Sequence, residues 1–310
     1  LSNDIHTLEV SLIDLRRLRA FVALAEEGHV TRAAERLGMQ QPPLTRLLRG
    51  LETELGVLLM HRLPRGVRPT EAGKALLAEA HNILARADQL PAIVARAARG
   101  EAGSLAIGFT SSAAFHAVVP ATLRRFRQRF PGVAVTLEEA GTAELVDGLM
   151  AERLDAAFVR SPVSHIGDLD VLSVVEEPMV AAIPAGHRLA RATIVDLAEL
   201  AGEPLILYRR ASGPGLHDAI VAACRGLGFS PIVAQEAPRL PATLSLVAAG
   251  LGITIVPASM QRLGGDDIVY RPLGPAGVLS APIDLASRRA RPSPVLRQFR
   301  KMVSGAASRP

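Results

Sequence analysis

Cysteine is nearly absent from this chain. Its one cysteine, Cys224, can make neither an intrachain disulfide nor a cysteine metal cluster. That fits a reducing cytoplasm and leaves the thiol as a small buried hydrophobe. The eight histidines are scattered, with no pair at metal-ligand helical spacing, and neither a Walker A loop nor a nucleophile elbow occurs. Gly250-x-Gly252 leaves a helix and enters a strand, the reverse of the order a dinucleotide fingerprint needs, and reads as a helix C-cap. No enzyme, metal or cofactor is therefore expected. Only Ala242 to Met260 is long and uncharged enough for a membrane span. Gly250, Gly252 and Pro257 divide it into a helix, a turn and a strand, so it is expected to be buried core. Leu1 to Ile13 carries Asp4 and Glu9 with no basic flank before an apolar run, which is not the pattern of a secretion signal.

What is present describes a globular protein. Hydrophobic residues make up 49% of the 310 and charged ones 21%, which excludes a disordered chain, and the length calls for at least two domains and a linker. Lys and Arg number 35 against 30 acidic residues. That excess is weak evidence for a polyanionic partner, so the position of the bases matters more than their number.

They concentrate near the amino terminus. Asp14 is placed to cap a first helix carrying Leu15, Leu18, Phe21, Val22 and Ala25 at helical spacing, and Gly28 stands where it should stop. Thr31 is placed to cap a short second helix with Ala33, Ala34 and Leu37 inward, ended by Gly38. Gln41-Pro42-Pro43 opens a third, since proline is tolerated in a first turn. Its apolar stripe is Leu44, Leu47, Leu48, Leu51 and Leu55, and Thr45, Arg46 and Arg49 occupy the other face. Two short helices joined by a glycine turn, the second presenting amide and arginine side chains, fit a DNA major groove. Val57 to Pro69, with Arg62, Arg65 and Arg68 around Pro64 and Gly66, reads as a basic-tipped hairpin wing. Singly, each feature has an ordinary alternative, such as a solvated arginine face; their ordered combination favours DNA binding.

Thr70 heads a fourth, long helix. Leu76, Ala80, Ile83, Ala87, Leu90, Val94 and Ala97 alternate spacings of four and three, a heptad seam that predicts pairing with another helix. Pro91 should kink or interrupt it over its last turns. Residues 14–69 are thus expected to form a winged helix-turn-helix, 70–99 a linker and dimerisation helix, and 100–103 (Gly-Glu-Ala-Gly) a flexible hinge.

Ala33-Ala34-Glu35-Arg36-Leu37, Gln41-Pro42-Pro43-Leu44-Thr45-Arg46, Leu51-Glu52-Thr53-Glu54-Leu55-Gly56 and Thr70-Glu71-Ala72-Gly73 occur in an order and spacing that resembles the LysR-type transcriptional regulators of bacteria. Gln40 stands where serine is commoner, Pro69 where leucine is usual and Met60 where phenylalanine often packs. The resemblance implies a DNA-contacting set of Thr31, Arg32, Gln41, Pro42, Pro43, Thr45, Arg46, Arg62 and Arg65. Gln41, Thr45 and Arg46 are the candidates for base reading, and the others for backbone positioning.

From Ser104 short apolar runs alternate with helices, which argues for an α/β domain with a largely parallel sheet over residues 104–310. The expected strands are Leu105–Phe109, Val133–Leu137, Leu154–Val159, Met179–Ile183, Pro204–Leu207 and Ile253–Val256, with a last helix over Val295–Met302. Two lobes can be fitted, one over about 104–160 and 272–310, the other over about 161–271, with a ligand cleft between them. The resemblance adds an effector domain like a periplasmic binding protein. Ser111, Ser112 and Thr142, at helix starts after strands, are candidate ligand contacts, as are Pro214 and Leu216. Hydroxyls and free N–H groups at helix starts suit the carboxylate of a small organic acid, with Arg160 as opposing charge. Each hydroxyl serves equally as a plain N-cap, and the sequence leaves both roles open.

Tyr208, Gly213-Pro214, Leu246-Val247-Ala248-Ala249-Gly250 and Val256-Pro257-Ala258-Ser259 are most similar to the subgroup controlling benzoate, catechol and chlorocatechol catabolism, which implies an aromatic acid or a muconate-like dicarboxylate as effector. An extra residue between Ser112 and Pro120 departs from that pattern. The family reading further implies dimers and tetramers on an interrupted inverted repeat, and contact with RNA polymerase. An enzyme with an α/β substrate domain and a transporter's solute-binding protein are the rivals. Salt-sensitive DNA binding without turnover distinguishes the first, and the arginine-bearing amino-terminal helices argue against the second.

Overall fold

A computed structural model describes residues 13–163, 167–212, 214–274 and 279–307. Leu1 to Leu12, to which most of the secretion-signal argument applies, and Gly213 lie outside the described residues. The chain forms two units that divide after Val94.

The first unit opens with α1 (Leu15–Glu27), α2 (Val30–Arg36) and α3 (Gln41–Leu55). The Asp14 side chain caps α1, and Gly28 closes it in the left-handed region at φ 60°. His29, not Thr31, caps α2: its ring nitrogen accepts the Thr31 N–H at 3.3 Å, which puts Thr31 inside the first turn. Helix α3 has no side-chain cap, because Pro42 and Pro43 remove two of the first-turn N–H groups a cap would serve. The same prolines thin out the amides that a phosphate would meet at this helix start.

Strands β1 (Met60–Leu63) and β2 (Gly66–Pro69) pair antiparallel from Met60–Pro69 to Leu63–Gly66, leaving Pro64-Arg65 as the tip. This wing is tied down at two places. The N–H of Val67 donates to the Gly28 carbonyl at 2.9 Å, and Glu52 on α3 accepts the N–H groups of Leu59 and Met60 at 2.8 and 3.2 Å. Gly66, at φ 139°, is required: a Cβ there would sit 2.3 Å from the Gly28 oxygen. Leu18, Phe21, Leu24, Ala33, Leu44, Leu51 and Leu59 form the core.

Helix α4 (Glu71–Ala98) starts on Thr70, whose hydroxyl accepts the Gly73 N–H at 2.9 Å, and continues through Pro91 as one helix, so of the two expected outcomes the interruption does not occur. The heptad seam divides by use. Leu76 and Ala80 pack into the core of the first unit, whereas Ile83, Leu90 and Val94 are exposed, the last at 66%.

In the second unit the expected hinge is built into structure. Gly100 is packed so closely against Pro294 that a Cβ would meet its carbonyl oxygen at 2.4 Å, and β3 (Ala102–Phe109) has begun by Ala102. There follow α5 (Ser111–Ala114), α6 (Val118–Arg129), β4 (Gly132–Glu139), α7 (Thr142–Met150), β5 (Ala156–Arg160) and the long β6 (Leu169–Pro184). Then come β7 (Val195–Asp196), β8 (Pro204–Tyr208), α8 (Pro214–Gly226), β9 (Ile232–Ala237), α9 (Leu240–Ala248), β10 (Thr254–Pro257), β11 (Ile268–Gly274), β12 (Ser280–Arg288) and α10 (Pro294–Ala307). Strand β3 runs parallel to β4 and β5, but β12 runs antiparallel to β5 and β6, and β6 antiparallel to β10 and β11. The sheet is therefore mixed rather than largely parallel, since two long strands carry the chain between lobes and back without a helical crossover.

Those strands also move the expected lobe boundary. Leu169 and Val174, in the first half of β6, pack with the core of the first lobe, and the second lobe's core takes over from Met179. On the return, Leu279 and Ala281 still belong to the second core, and Ile283 to the first. The segment divided by Gly250, Gly252 and Pro257 forms a helix, a turn and a strand, and no helix among the described residues is long and apolar enough to cross a membrane.

Candidate functional site

Two places in the molecule concentrate polar groups that packing does not consume. The first lies on the amino-terminal unit, where Thr31, Gln41, Thr45, Arg49, Thr53, His61, Arg62 and Val67 line one hollow between α3 and the wing. Gln41 donates to the Thr31 hydroxyl at 3.1 Å, so the second and third helices are joined at the point where both present polar side chains. Of the expected DNA-contacting set, the hollow brings together Thr31, Gln41, Thr45 and Arg62. Pro42, Pro43 and Arg46 stand exposed on the first turns of α3, and Arg65 at the wing tip. Arg32 is engaged elsewhere: its guanidinium donates to the Glu27 carbonyl at 2.5 Å and lies 3.6 Å from the Glu27 carboxylate. Arg36 is likewise paired, with Glu26 at 2.6 Å. Arg46, Arg49, Arg62 and Arg65 are exposed and have no ion-pair partner among the described residues. Unpaired arginines around a hollow flanked by a helix start and a hairpin are suited to a phosphate backbone and base edges.

The second place is a cleft in the other unit. One wall is polar and comes from the first lobe: Thr110, Ser111 and Ser112 after β3, Gly141 and Thr142 after β4, and Arg160 at the end of β5. The other is mostly apolar and comes from the second lobe, with Tyr208, Leu216 and Leu240, plus Arg239. All four expected first-lobe contacts and Leu216 reach the cleft. Pro214 does not line it; it occupies the first turn of α8, where its fixed φ suits the helix start.

The hydroxyls differ in what they are free to do. Thr110, not Ser111 or Ser112, caps α5 by accepting the Ala113 N–H. Ser111 donates to Glu139 at 2.5 Å, and Ser112 accepts from Arg160 at 3.2 Å. Thr142 is 5% exposed, begins α7, and its hydroxyl has no hydrogen-bond partner among the described residues. Among the described residues the sealed polar atom without a partner is Ser287 Oγ, so the Thr142 hydroxyl is open to the cleft and available to a ligand.

Arg160 does not carry the free charge expected of it. At 4% exposure it donates to the Ser112 side chain and carbonyl, to the Ala281 carbonyl at 2.6 Å and to Glu177 at 2.7 Å. Burial pushes its pKa down, and the charge of Glu177 opposes that shift. Glu177 also takes the backbone N–H of Ser259 at 2.8 Å and its hydroxyl at 3.1 Å. This network joins β5, β6 and β12 with the turn after β10, at the place where the chain passes between lobes. Tyr208, whose phenol burial pushes well up, takes the His217 backbone N–H and lines the second-lobe wall as a neutral group.

Residues 15–74 match the family model described as bacterial regulatory helix-turn-helix protein, lysR family, and residues 98–308 match that of the LysR substrate binding domain. The chain belongs to the LysR family of transcriptional regulators. It is 38% identical over 288 residues to the uncharacterized HTH-type transcriptional regulator YnfL of Escherichia coli K12, spanning 93% of this chain and 97% of that one. The regulator BudR of Raoultella terrigena is 37% identical over 290 residues, spanning 94% and 100%. Among solved structures, full-length CbnR in complex with its target DNA matches with a TM-score of 0.83 at 30% identity, covering 95% of this chain and 100% of CbnR. LysR regulators combine a DNA-binding helix-turn-helix with a ligand-binding domain, and the two polar sites of this member fall one in each.

Sequence reasoning missed Arg239, which no motif marks; it lies just before the Leu240-Pro241 that opens α9, and only the fold brings that helix start to the cleft. Glu52, which sequence reasoning treated as part of a family block, anchors the wing. The pattern of an acid one turn before an irregular segment gives no sign of that role.

Proposed function

We propose that this LysR regulator binds an interrupted inverted repeat in double-stranded DNA, and that a small organic acid in the interlobe cleft alters DNA bending and promoter activity. The observation that carries the ligand reading is the polar first-lobe wall, on which the Thr142 hydroxyl is uncommitted and open to the cleft, set opposite an apolar one. A ligand with an acid head and an apolar body matches both walls, which favours an aromatic acid or a muconate-like dicarboxylate. Thr142, Ser112 and Ser111 serve the head, Leu216 and Leu240 the body, and Arg160 shapes the wall while its charge stays with Glu177.

On the DNA side, Gln41, Thr45 and Arg46 read bases, while Thr31, Arg62 and Arg65 position the backbone. Pro42 and Pro43 set the helix start against the groove, and Arg32 contributes by orienting α2 through Glu27. The exposed Ile83, Leu90 and Val94 support pairing of two copies through α4, and further association through the ligand-binding domains gives a tetramer. Effector-dependent contact with RNA polymerase completes the mechanism. The acid acts only through a difference in its affinity for two arrangements of the assembly.

The test is a footprint and bending assay on a selected genomic fragment, with benzoate, cis,cis-muconate and succinate added in turn at fixed ionic strength. A shortened footprint or a changed bend with at least one acid is expected. A footprint and bend unaffected by all of them would contradict the organic-acid reading of the cleft.

A further inference from the structure

Arg160 and Arg239 are the charged residues lining the described cleft, and they are not equivalent. The guanidinium of Arg160 is sealed into Ser112, Ala281 and Glu177, and removing it from Glu177 would strand a buried carboxylate. Arg239 sits on the second lobe at the start of α9, with its side chain 40% exposed. Its partner is across the cleft. The guanidinium lies 3.6 Å from the carboxylate of Glu144, on the first turn of α7 in the first lobe. That separation is beyond a hydrogen bond, and Glu144 is 64% exposed, so the pair is held by screened attraction alone. The same Glu144 oxygen already accepts the Gly141 N–H at 2.7 Å, so it keeps a partner if Arg239 leaves. Thr142, with the open hydroxyl, is two residues away on the same turn.

We propose that Arg239 is the cation that reads the ligand's acid group, and that Glu144 holds it across the cleft until the acid takes its place. A carboxylate offers Arg239 two oxygens in a drier setting than Glu144 does, which favours the exchange. The exchange also has a mechanical result. Arg239 then joins the second lobe to an acid seated on the Thr142 wall of the first, so binding favours the closed cleft. This inference rests on the reading of the cleft as an organic-acid site.

The test is isothermal titration of the full-length protein at constant ionic strength with benzoate, cis,cis-muconate, succinate and acetate, and with benzamide as the neutral control. Arg239→Gln should weaken the acid that binds best by roughly 10-fold or more. Glu144→Gln, which keeps an oxygen for Gly141 but removes the competing charge, should tighten it by roughly 2- to 5-fold. In the Arg239→Gln background Glu144→Gln should have no further effect, since the two act on one interaction. Both side chains are solvent-facing, so both variants are expected to fold. Arg239→Gln binding within two-fold of the parent would overturn the proposal and leave the acid site standing. An unchanged affinity in Glu144→Gln would overturn the exchange. No binding of any acid by the parent protein would overturn the acid site itself, and this inference with it.

Discussion

Arg46, Arg49, Arg62 and Arg65 stand exposed on the amino-terminal unit with no ion-pair partner among the described residues, whereas Arg160 lies 4% exposed against Glu177 in the other. The residue type is the same and the physics opposite. An exposed, unpaired guanidinium keeps its charge available to a polyanion and loses little by standing alone. A buried one survives only with its donors filled, and its charge is spent before a ligand arrives. A basic residue at a site is therefore evidence of anion binding only when its partners are known, and in the cleft the cation proposed to meet an acid is Arg239 rather than Arg160.

The largest effect should come from breaking the buried pair. Arg160→Ala is expected to destabilise the ligand-binding domain by about 3–5 kcal/mol in denaturant unfolding, because Glu177 is left buried without its counter-charge and keeps only the neutral donors of Ser259. Replacing both with apolar residues, as Arg160→Met with Glu177→Leu, should recover much of that loss. A double variant no better than the single one would contradict the account of Arg160 as structural.

Next is the open hydroxyl. Thr142→Val keeps the shape of the α7 start and removes one hydrogen bond to a charged ligand group, which should weaken acid binding by about 1.5–3 kcal/mol. On the exposed side, Arg46→Ala should cost about 1–3 kcal/mol and relax specificity at one operator position, whereas Arg62→Ala should weaken all sequences alike and lower the salt slope by about one. If Arg46→Ala and Arg62→Ala behave identically on specific and random DNA, the division into base reading and backbone positioning fails.

The smallest effect is a titration beside the buried pair. Burial pushes the His116 imidazole below the usual histidine value; Arg160 and Arg262 add to the shift and Glu177 opposes it. The unfolded chain therefore takes up this proton at a higher pH than the folded one. Stability from this group is complete above the unfolded pKa and falls as pH drops from about 6.5 toward the folded value. His116→Asn, which retains an acceptor for the Val118 N–H, should flatten part of the decline in melting temperature between pH 7.5 and 5.5.

The two units also differ in how far the sequence foretells them. In the first, helix periodicity, Gly28 and the Gln41-Pro42-Pro43 start mark elements made by local rules, and the order of three helices and a hairpin could be read directly. Local reading failed where two residues compete for one task, as His29 and Thr31 did for the cap of α2. In the second unit, strands followed by helices were legible, but β9, β11 and β12 were not. The apolar run of β9 is only Ile232-Val233-Ala234, solvent-facing and broken by Gln235 and Glu236, and β12 is interrupted by polar residues whose partners lie more than a hundred positions away. The lobe boundary depends on β6, whose two halves belong to different cores, a fact no window of sequence contains. Thr142 could be named as a helix start, but whether its hydroxyl capped the helix or faced a ligand depended on the neighbours the fold brought to it.

The central claim is that the unpaired arginines of the amino-terminal face bind DNA, and the most direct measurement is selection of bound fragments from genomic DNA followed by titration of the best fragment across salt concentrations. An inverted repeat bound with a steep linear loss of log affinity against log salt, and a shallower slope for Arg62→Ala, is the predicted result. Absence of any enriched sequence, with and without the acids, or binding insensitive to salt, would contradict it.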